Sequence, residues 1–572
     1  MLYVLLTWCY ILITAFPVGF VLSELLNGNP GPGPGRSPEK KTGEPPGQSL
    51  SGILMAGLSA LMVYAQFFSL FSGVGMGAGL LLLACCILCV AVWRRQMADF
   101  LGKYMHSRGR KGLAGLLLLV LFMAYGTSRG IMHMDTGLYH AQAIRWIEEY
   151  GVVPGLGNLH GRFGYNSASL ALCALYSLKW LWGEPMHAVQ GFLALLVAVK
   201  CAPLLSVGKR GLRVSDFLRV GTVYYLTVLY GEMVSPATDY FAMLYVFYIL
   251  LSWLDLTEAG EKGTGPYAAL CLLAVCAVTV KLSAAAILLL ACKPAAALLK
   301  EKRWREIGLY LGLGILIALP WLIRSVLISG WLFYPLTFPD VFDVDWKIPK
   351  GSADFDAKEI QVYGRGIYDV NLYDTPFVRW AGPWFAALKG MEKLWVLGGG
   401  MGLAAGCALC IDSLRPERRA DRDRYDRLVY TAVLMICYLV WQLSAPLVRY
   451  GYAWVIALPT VTAGFWYCRL AGRDGLARKV FTAFLCLFFL YKALDLAGGI
   501  LDLAGEPWYL RQQEYGDFEA LTYEIDGITV YVPTDRGQIG YDKFPSSPWI
   551  QDIELRGEGK NAGDIRYGFR LR

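Results

Sequence analysis

Repeated apolar runs are the feature that most constrains how this chain can fold. The 572-residue sequence contains a succession of apolar runs of 16–25 residues, and a helix needs roughly 20 such residues to cross a bilayer. Hydrophobic residues make up 56% of the chain and charged residues only 17%. Because backbone groups in lipid must be satisfied internally, such runs cross as helices. The sequence therefore predicts an all-α polytopic membrane protein.

Short basic loops predict the orientation in the membrane. The formal net charge of +8 comes from lysine and arginine in the connections between apolar runs. The positive-inside rule places these loops in the cytoplasm, which also removes the charge as a sign of nucleic-acid binding. The basic loops are 94–112, 206–219, 300–306, 411–427 and 471–479.

Two cytoplasmic loops must be separated by an even number of membrane crossings. This condition decides which of the apolar runs cross. Run 166–183 is the most polar candidate, so we expect a juxtamembrane or re-entrant helix there. Run 266–299 is too long for one span and divides at Lys281, because a lysine at the bilayer centre costs roughly 2.5–3.5 kcal/mol. Both termini then lie outside. About 14 transmembrane helices result: 2–26, 51–72, 74–93, 113–130, 187–205, 218–235, 239–256, 266–281, 283–299, 307–328, 392–410, 428–444, 452–470 and 479–498.

The long polar segments all fall on the outer side and suggest five parts. Segment 329–390 suits a lid over a carbohydrate site or a plain folded insertion. In the tail, Tyr523–Pro533 alternates around an Asp-Gly turn, which predicts a hairpin, and 553–556 and 565–570 are candidate partner strands. The expected parts are 1–112 (N-terminal helices with a flexible Pro/Gly linker at 27–50), 113–328 (core, with first outer loop 131–165), 329–390 (extracytoplasmic loop), 391–499 (C-terminal transmembrane helices) and 500–572 (a small extracytoplasmic α/β or β domain).

One acidic loop, Met134-Asp135-Thr136-Gly137-Leu138-Tyr139-His140, carries the densest polar cluster of the apolar chain. A carboxylate just outside a membrane helix is well placed to act on a lipid-borne substrate. The alternative for Asp135 is a helix N-terminus, where the dipole favours an acid. His133, His140 and His160 invite a zinc interpretation, but their spacing suits no standard helical site. We predict no metal site from them.

Two acidic motifs resemble a known superfamily. In topology, and in the placement of Asp135…Tyr139 and Ser235-Pro-Ala-Thr-Asp239, the chain resembles the GT-C superfamily of lipid-carrier-dependent glycosyltransferases. A longer set of landmarks is similar to a group of large bacterial membrane proteins linked to surface-polysaccharide synthesis. These landmarks are Asp135-Thr-Gly-Leu-Tyr-His140, Arg162-Phe-Gly-Tyr-Asn166, Pro320-Trp-Leu-Ile-Arg324-Ser-Val-Leu-Ile-Ser-Gly330, Val344-Asp-Trp-Lys-Ile-Pro349 and Ser444-Ala-Pro-Leu-Val-Arg449-Tyr-Gly451.

The resemblance implies the substrates. The donor would be a polyprenyl-phosphate-linked sugar and the acceptor a glycan or lipid, with membrane lipids as neighbours and no nucleic-acid partner. Asp135 is followed by Thr136 where the family has a second acid, which departs from the pattern of a metal-binding pair. No cofactor is certain, and a divalent cation remains an option.

Such a reaction needs a base for the acceptor hydroxyl and positive charge for the leaving phosphate. We expect Asp135 to be the base and His140 a second acid/base group or a donor to sugar. Asp239 would orient the acceptor, pair with a cation or bind a metal, and the alternative for it is a helix cap. For phosphate we expect arginine forks and one lysine, although basic residues at helix ends also snorkel to the interface. The expected substrate-binding residues are Tyr139, Arg162, Lys281, Arg324, Arg449 and Tyr450.

The predicted function is that of a glycosyltransferase-like protein in cell-surface polysaccharide synthesis. The alternatives are a polysaccharide polymerase or ligase, a transporter of lipid-linked glycans, and a non-catalytic assembly subunit. The chain has no Asn-x-Ser/Thr glycosylation site, which favours a bacterial cytoplasmic (inner) membrane, with the active face extracytoplasmic.

Overall fold

A computed structural model describes residues 1–26, 49–415, 424–470, 475–502, 504–535 and 537–572. Residues 27–48 of the linker predicted to be flexible at 27–50, and parts of the basic loops 411–427 and 471–479, lie outside the described residues.

The described chain is mostly helical, as the hydropathy pattern predicts. Its α-helices, in chain order, are α1 Leu2–Leu26, α2 Leu50–Ser69, α3 Met76–Ser128, α4 Ala141–Glu149, α5 Leu156–Leu159, α6 Ala168–Leu175, α7 Lys179–Trp182, α8 Val189–Cys201, α9 Val214–Leu229, α10 Thr238–Glu258, α11 Thr264–Val280, α12 Cys292–Lys300, α13 Trp304–Ser329, α14 Lys350–Gly364, α15 Phe377–Ala387, α16 Gly390–Leu414, α17 Arg424–Leu443, α18 Val448–Leu470 and α19 Gly475–Asp502.

Ten helices of the described part are long and apolar enough to cross a membrane, so the chain is a membrane protein. Two of the ten combine an α-helix with a 3₁₀ stretch. Val189–Lys209 consists of α8 followed by a 3₁₀ stretch, and Leu282–Lys300 consists of a 3₁₀ stretch followed by α12. The other eight are Leu2–Leu26, Leu50–Ser69, Met76–Ser128, Thr238–Glu258, Trp304–Ser329, Gly390–Leu414, Arg424–Leu443 and Lys479–Leu501.

The number of long apolar helices is lower than the number of predicted spans, about 14, and particular segments account for the difference. Two predicted spans, 74–93 and 113–130, lie in the single helix α3. The segments predicted at 218–235, 266–281 and 452–470 are helices α9, α11 and α18, but they are not among the ten. Run 166–183 forms two short helices, α6 and α7, and the first of them is buried throughout.

Helix α3 contains a break at Gly109. A straight helix of 53 residues would be about 80 Å long. Gly109 instead has φ 61° and ψ 173°, a combination essentially restricted to glycine. Near the first end, Gly79 packs beside Trp180, and at the second end Ser128 accepts a backbone hydrogen bond from Gln513. Both ends of α3 therefore lie in the region around the C-terminal tail. This means that the chain reverses its direction within the helix.

The N-terminus meets the start of the tail at that same end of the molecule. The Met1 amine donates to the carbonyls of Trp508 and Arg511, at 2.7 Å each. The ring of Tyr3 stacks on Trp182, with centroids 4.7 Å apart. These contacts hold the start of α1 against the first residues of the tail.

The tail contains two small antiparallel sheets. Strand β1 Ala520–Ile525 pairs with β2 Ile528–Pro533 across Asp526 and Gly527, both of which have positive φ, as the Asp-Gly signal predicts. In the described structure, the candidate partner segments 553–556 and 565–570 do not pair with this hairpin as additional strands. Strand β3 Ile553–Leu555 pairs with β4 Phe569–Leu571 as a second sheet, so the expected pairing with the hairpin is replaced by pairing with each other.

Candidate functional site

The acidic loop forms a single turn of π-helix before α4. Asp135 stands at its N-terminal end, and Thr136–His140 make the turn that continues into α4. The Asp135 side chain makes no capping hydrogen bond, although its position is the one that the dipole explanation requires. Single π turns are frequent at functional sites. The carboxylate thus takes no hydrogen bond from the first turn of this helix.

Asp135 is held by basic groups from distant parts of the chain. Its Oδ2 lies 3.1 Å from Nη2 of Arg449 at the start of α18, and its Oδ1 lies 3.9 Å from Nη1 of Arg162. Only 9% of the residue is exposed. Burial alone would raise the pKa of this carboxyl, but Arg449, His140, His133 and Arg162 together lower it. Asp135 is therefore ionised at neutral pH.

Arg449 also joins the second predicted aspartate. Its Nε lies 3.4 Å from Oδ2 of Asp239 in the first turn of α10, and Asp239 forms an ion pair with Lys281. The Asp239 side chain makes no helix-capping bond, so the capping alternative does not describe its contacts. The Lys281 ammonium lies over the ring of Tyr450, 4.1 Å from the centroid. One guanidinium thus links both acidic motifs.

His133 lies between these groups. Its backbone N–H donates to Ser235 Oγ at 2.7 Å, which ties the acidic loop to the turn before α10. The Asp135 N–H donates to His133 Nδ1 at 3.1 Å. A neutral imidazole that accepts at Nδ1 carries its proton on Nε2, yet Nε2 is 2.8 Å from Nη1 of Arg449. Two donors therefore converge where an acceptor oxygen would satisfy both.

Arg324 does not join this cluster. Its Nε donates to Asn166 Oδ1 at 3.2 Å and its Nη1 bonds to Ser69 Oγ. The guanidinium is almost fully buried and has no ion pair with a described residue. It lines a cavity of about 20 Å³ together with Arg162 and Tyr139, which is room for about one water molecule. The expected convergence of four basic groups therefore holds for Arg162, Lys281 and Arg449 only.

His140 and His160 are buried and neutral. His140 is 1% exposed, and neither ring nitrogen has a hydrogen-bond partner among the described residues. Burial lowers its pKa to about 3, and the same effect lowers the pKa of His160 to about 3. His140 packs against Tyr139, with ring centroids 4.2 Å apart. Both residues lie beside Asp135, as the sequence motif predicts.

The described residues contain no group of three His, Cys, Asp or Glu side chains placed to hold a metal ion. Asp135 and Asp239 already face Arg449 and Lys281. Because these cations occupy the positions that a divalent ion would take, the arrangement does not fit a resident metal.

The long segment 329–390 packs on the turn that carries Arg449. Gly364 at the end of α14 lies so close to Ala445 that an added Cβ would be 2.9 Å from the Ala445 Cα. Arg365 donates to the Leu443 carbonyl at 3.2 Å. This contact is the one expected of a lid, although the lid itself stays a prediction.

The tail packs directly on the acidic loop, a relationship that the sequence did not predict. The N–H groups of Ile539 and Gly540 both donate to the Gly137 carbonyl at 2.9 Å. On α4, the buried side chain of Gln142 donates to the Lys543 carbonyl at 3.1 Å and accepts from the Ser546 N–H at 2.6 Å. The tail is thus part of the wall of the site.

A larger cavity of about 300 Å³ lies between the acidic loop and the tail. It has the size of a small ligand pocket. His133 lines it and also contacts Arg449, so the cavity adjoins the charged cluster.

Comparison with known proteins identifies the family. Residues 1–456 match the family described as "Domain of unknown function (DUF8201)", so the chain belongs to this family. No match was found among curated proteins or among solved structures.

Proposed function

We propose that this member of the DUF8201 family is a GT-C-like membrane glycosyltransferase of about 14 spans. It transfers a sugar from a polyprenyl-phosphate carrier to a glycan or lipid-linked acceptor. The reaction takes place on the extracytoplasmic face of the bacterial inner membrane, in cell-surface polysaccharide synthesis. The observation that carries the proposal is that Arg449 contacts Asp135 and lies beside Asp239 while its remaining donor faces His133.

The basic groups of the cluster suit a phosphate. Arg449, Arg162 and Lys281 face the carboxylates of Asp135 and Asp239. A sugar phosphodiester carries one negative charge, which these basic groups would bind. Its oxygen would accept from Arg449 Nη1 and His133 Nε2, the two donors that face each other. Arginine is well suited to this task because its planar fork binds phosphate at two points.

Donor binding would also prepare the base. A paired carboxylate with a lowered pKa is a weak base, since general bases work best with a pKa near the operating pH. When phosphate takes donors of Arg449 and Arg162, Asp135 loses part of the positive field that lowers its pKa. The carboxylate then accepts a proton only when the donor is present, which protects the carrier from futile hydrolysis.

In the transfer step, an acceptor hydroxyl oxygen forms a bond to the anomeric carbon and its proton passes to Asp135. The bond between the anomeric carbon and the phosphate oxygen breaks, and polyprenyl phosphate leaves with one additional negative charge. Arg449, Arg162 and Lys281 would stabilise that charge as it develops. Asp239 would hold Lys281 and Arg449 in place.

The test is Asp135→Asn in a host that depends on this chain for a surface glycan. Loss of a general base costs about 10²–10⁴ in rate, so glycan should nearly disappear while the amount of protein in the membrane stays normal. Asp343→Asn, at an exposed aspartate of the outer loop, is the matched control. Normal glycan with Asp135→Asn would contradict transfer and favour a non-catalytic assembly subunit. A polymerase or ligase would lose chain length or attachment rather than one sugar.

A further inference from the structure

We propose that the 300 Å³ cavity between the acidic loop and the tail is the acceptor site and that it takes an uncharged or amino sugar. This inference rests on the proposed function. It identifies the part of the chain that holds the acceptor and the chemical class of that acceptor.

The cavity has the surfaces that a sugar needs. The Phe518 ring and the side chains of Met132 and Met134 supply apolar contact, and Glu514 and Gln538 supply polar groups. Sugars combine an apolar ring face with hydroxyl edges, so a lining of this mixed kind is suited to them.

A buried hydroxyl points to a missing ligand. Thr136 is 2% exposed and lines the cavity, yet its Oγ1 has no hydrogen-bond partner among the described residues. A buried polar group without a partner costs about 1–3 kcal/mol. A sugar hydroxyl in the cavity would remove this cost.

The charge of the cavity separates it from the donor phosphate site. Glu514 is exposed at the cavity and makes no ion pair with a described residue. The only other titratable side chains in the lining are His133 and Tyr515. Burial lowers the pKa of His133 and raises that of Tyr515, so both are neutral. The carboxylate repels phosphates and acidic sugars and attracts an amino group.

The position of the cavity suits an acceptor. Met134 and Thr136, the two neighbours of Asp135 in the chain, both line it. His133 faces it from one side and contacts Arg449 on the other. Asp135 itself does not line the cavity, so a sugar bound there would extend a hydroxyl past these residues to reach the base, while the phosphate occupies the basic side of the cluster.

The test is photochemical capture in cells that make the glycan. Benzoylphenylalanine is placed at Phe518 in the full-length chain, with Tyr567 as a matched control at an exposed aromatic position of the tail outside the cavity lining. After irradiation, the adducts are digested and their sugars identified by mass spectrometry. The expected result is carbohydrate, neutral or amino and without phosphate or carboxylate, at 518 and not at 567.

Two variants make the result specific. Thr136→Val or Glu514→Ala in the Phe518→benzoylphenylalanine chain should lower the yield of the adduct by about tenfold, the effect of losing one good hydrogen bond. Glu558→Gln, an exposed carboxylate elsewhere in the tail, should leave the yield unchanged.

Absence of carbohydrate at 518, capture of lipid alone, or capture of acidic sugar would each overturn the acceptor site. The assay reports occupancy and not transfer. Capture of neutral or amino sugar in cells where Asp135→Asn leaves the glycan normal would retain the sugar site and reject the transferase, so the two failures are distinguishable.

Discussion

Arg449 Nη2 lies 3.1 Å from Asp135 Oδ2, although 314 residues separate them in the chain. The contact joins the acidic loop before α4 to the first turn of α18. Because Arg449 also lies beside Asp239, its guanidinium holds the charged groups of both acidic motifs together. The integrity of the site therefore depends on this one side chain.

Removal of that guanidinium should destabilise the protein. Arg449→Ala leaves two buried carboxylates with less compensation, and removing one partner of a buried ion pair costs about 3–5 kcal/mol. We expect a lower thermal midpoint in detergent and partial recovery in the double variant Arg449→Ala with Asp135→Asn, because the second change neutralises the unpaired charge. Arg449→Lys should be milder, since it keeps the charge and loses the fork. An additive double variant would show that the two side chains are not coupled.

The proximity of Asp135, Asp239 and Lys281 was predictable, and the place of Arg324 was not. Hydropathy, the positive-inside rule and parity give the helices, the short helices of run 166–183 and the break at Lys281. Arg324 carries the same local signals as Arg449. Only the tertiary packing of α13 against Asn166 and Ser69 directs it to a different cavity.

The contact between the tail and the acidic loop could not be predicted from the sequence either. The Asp-Gly turn predicts the β1–β2 hairpin because turn geometry is local. The hydrogen bonds from Ile539 and Gly540 to Gly137 join segments about 400 residues apart. No periodicity or motif in either segment specifies its partner. The buried glutamine at 142 was the one available signal, since a buried amide requires hydrogen-bond partners.

Loss of that amide should release the tail. Gln142→Leu keeps the volume but removes the bonds to the Lys543 carbonyl and the Ser546 N–H. We expect limited proteolysis to cut within 514–572 several times faster, while the helical part stays intact, because buried backbone groups lose their partners. Gln551→Ala, whose side chain has no hydrogen bond to a described residue, serves as the control. Equal rates for the two variants would show that Gln142 does not hold the tail.

Glu148 should give the protein a pH-dependent stability near neutrality. Burial raises the pKa of its carboxyl from 4.5 to about 7, although hydrogen bonds from Ser177 and Tyr541 act in the opposite direction. Between these two values the folded protein binds more protons than the unfolded chain, so stability falls as the pH rises. Glu148→Gln should therefore raise the thermal midpoint at pH 8 relative to the native chain and have little effect at pH 4.5. Glu149→Gln, on the exposed side of α4, gives the baseline. A pH-independent difference would reject this assignment.

The membrane orientation has a direct test. A reporter that is active only outside the cytoplasm should work when fused after residue 160, 355 or 515 and fail after 105 or 212. Reporter activity after 105 together with inactivity after 355 would invert the orientation and place the charged cluster in the cytoplasm.

Gly109→Ala should reduce the amount of correctly inserted protein, because alanine in this backbone region costs about 1–3 kcal/mol.

The most direct measurement is the lipid fraction of cells that carry Asp135→Asn. If Asp135 removes the acceptor proton, the variant retains donor binding and cannot discharge the carrier. Mass spectrometry of extracted lipids should then show accumulation of one polyprenyl-phosphate-linked sugar, together with a surface glycan that lacks this sugar. Cells with Asp343→Asn should match cells with the native chain. A lipid profile and a glycan that both remain unchanged in Asp135→Asn cells would contradict the proposed transfer.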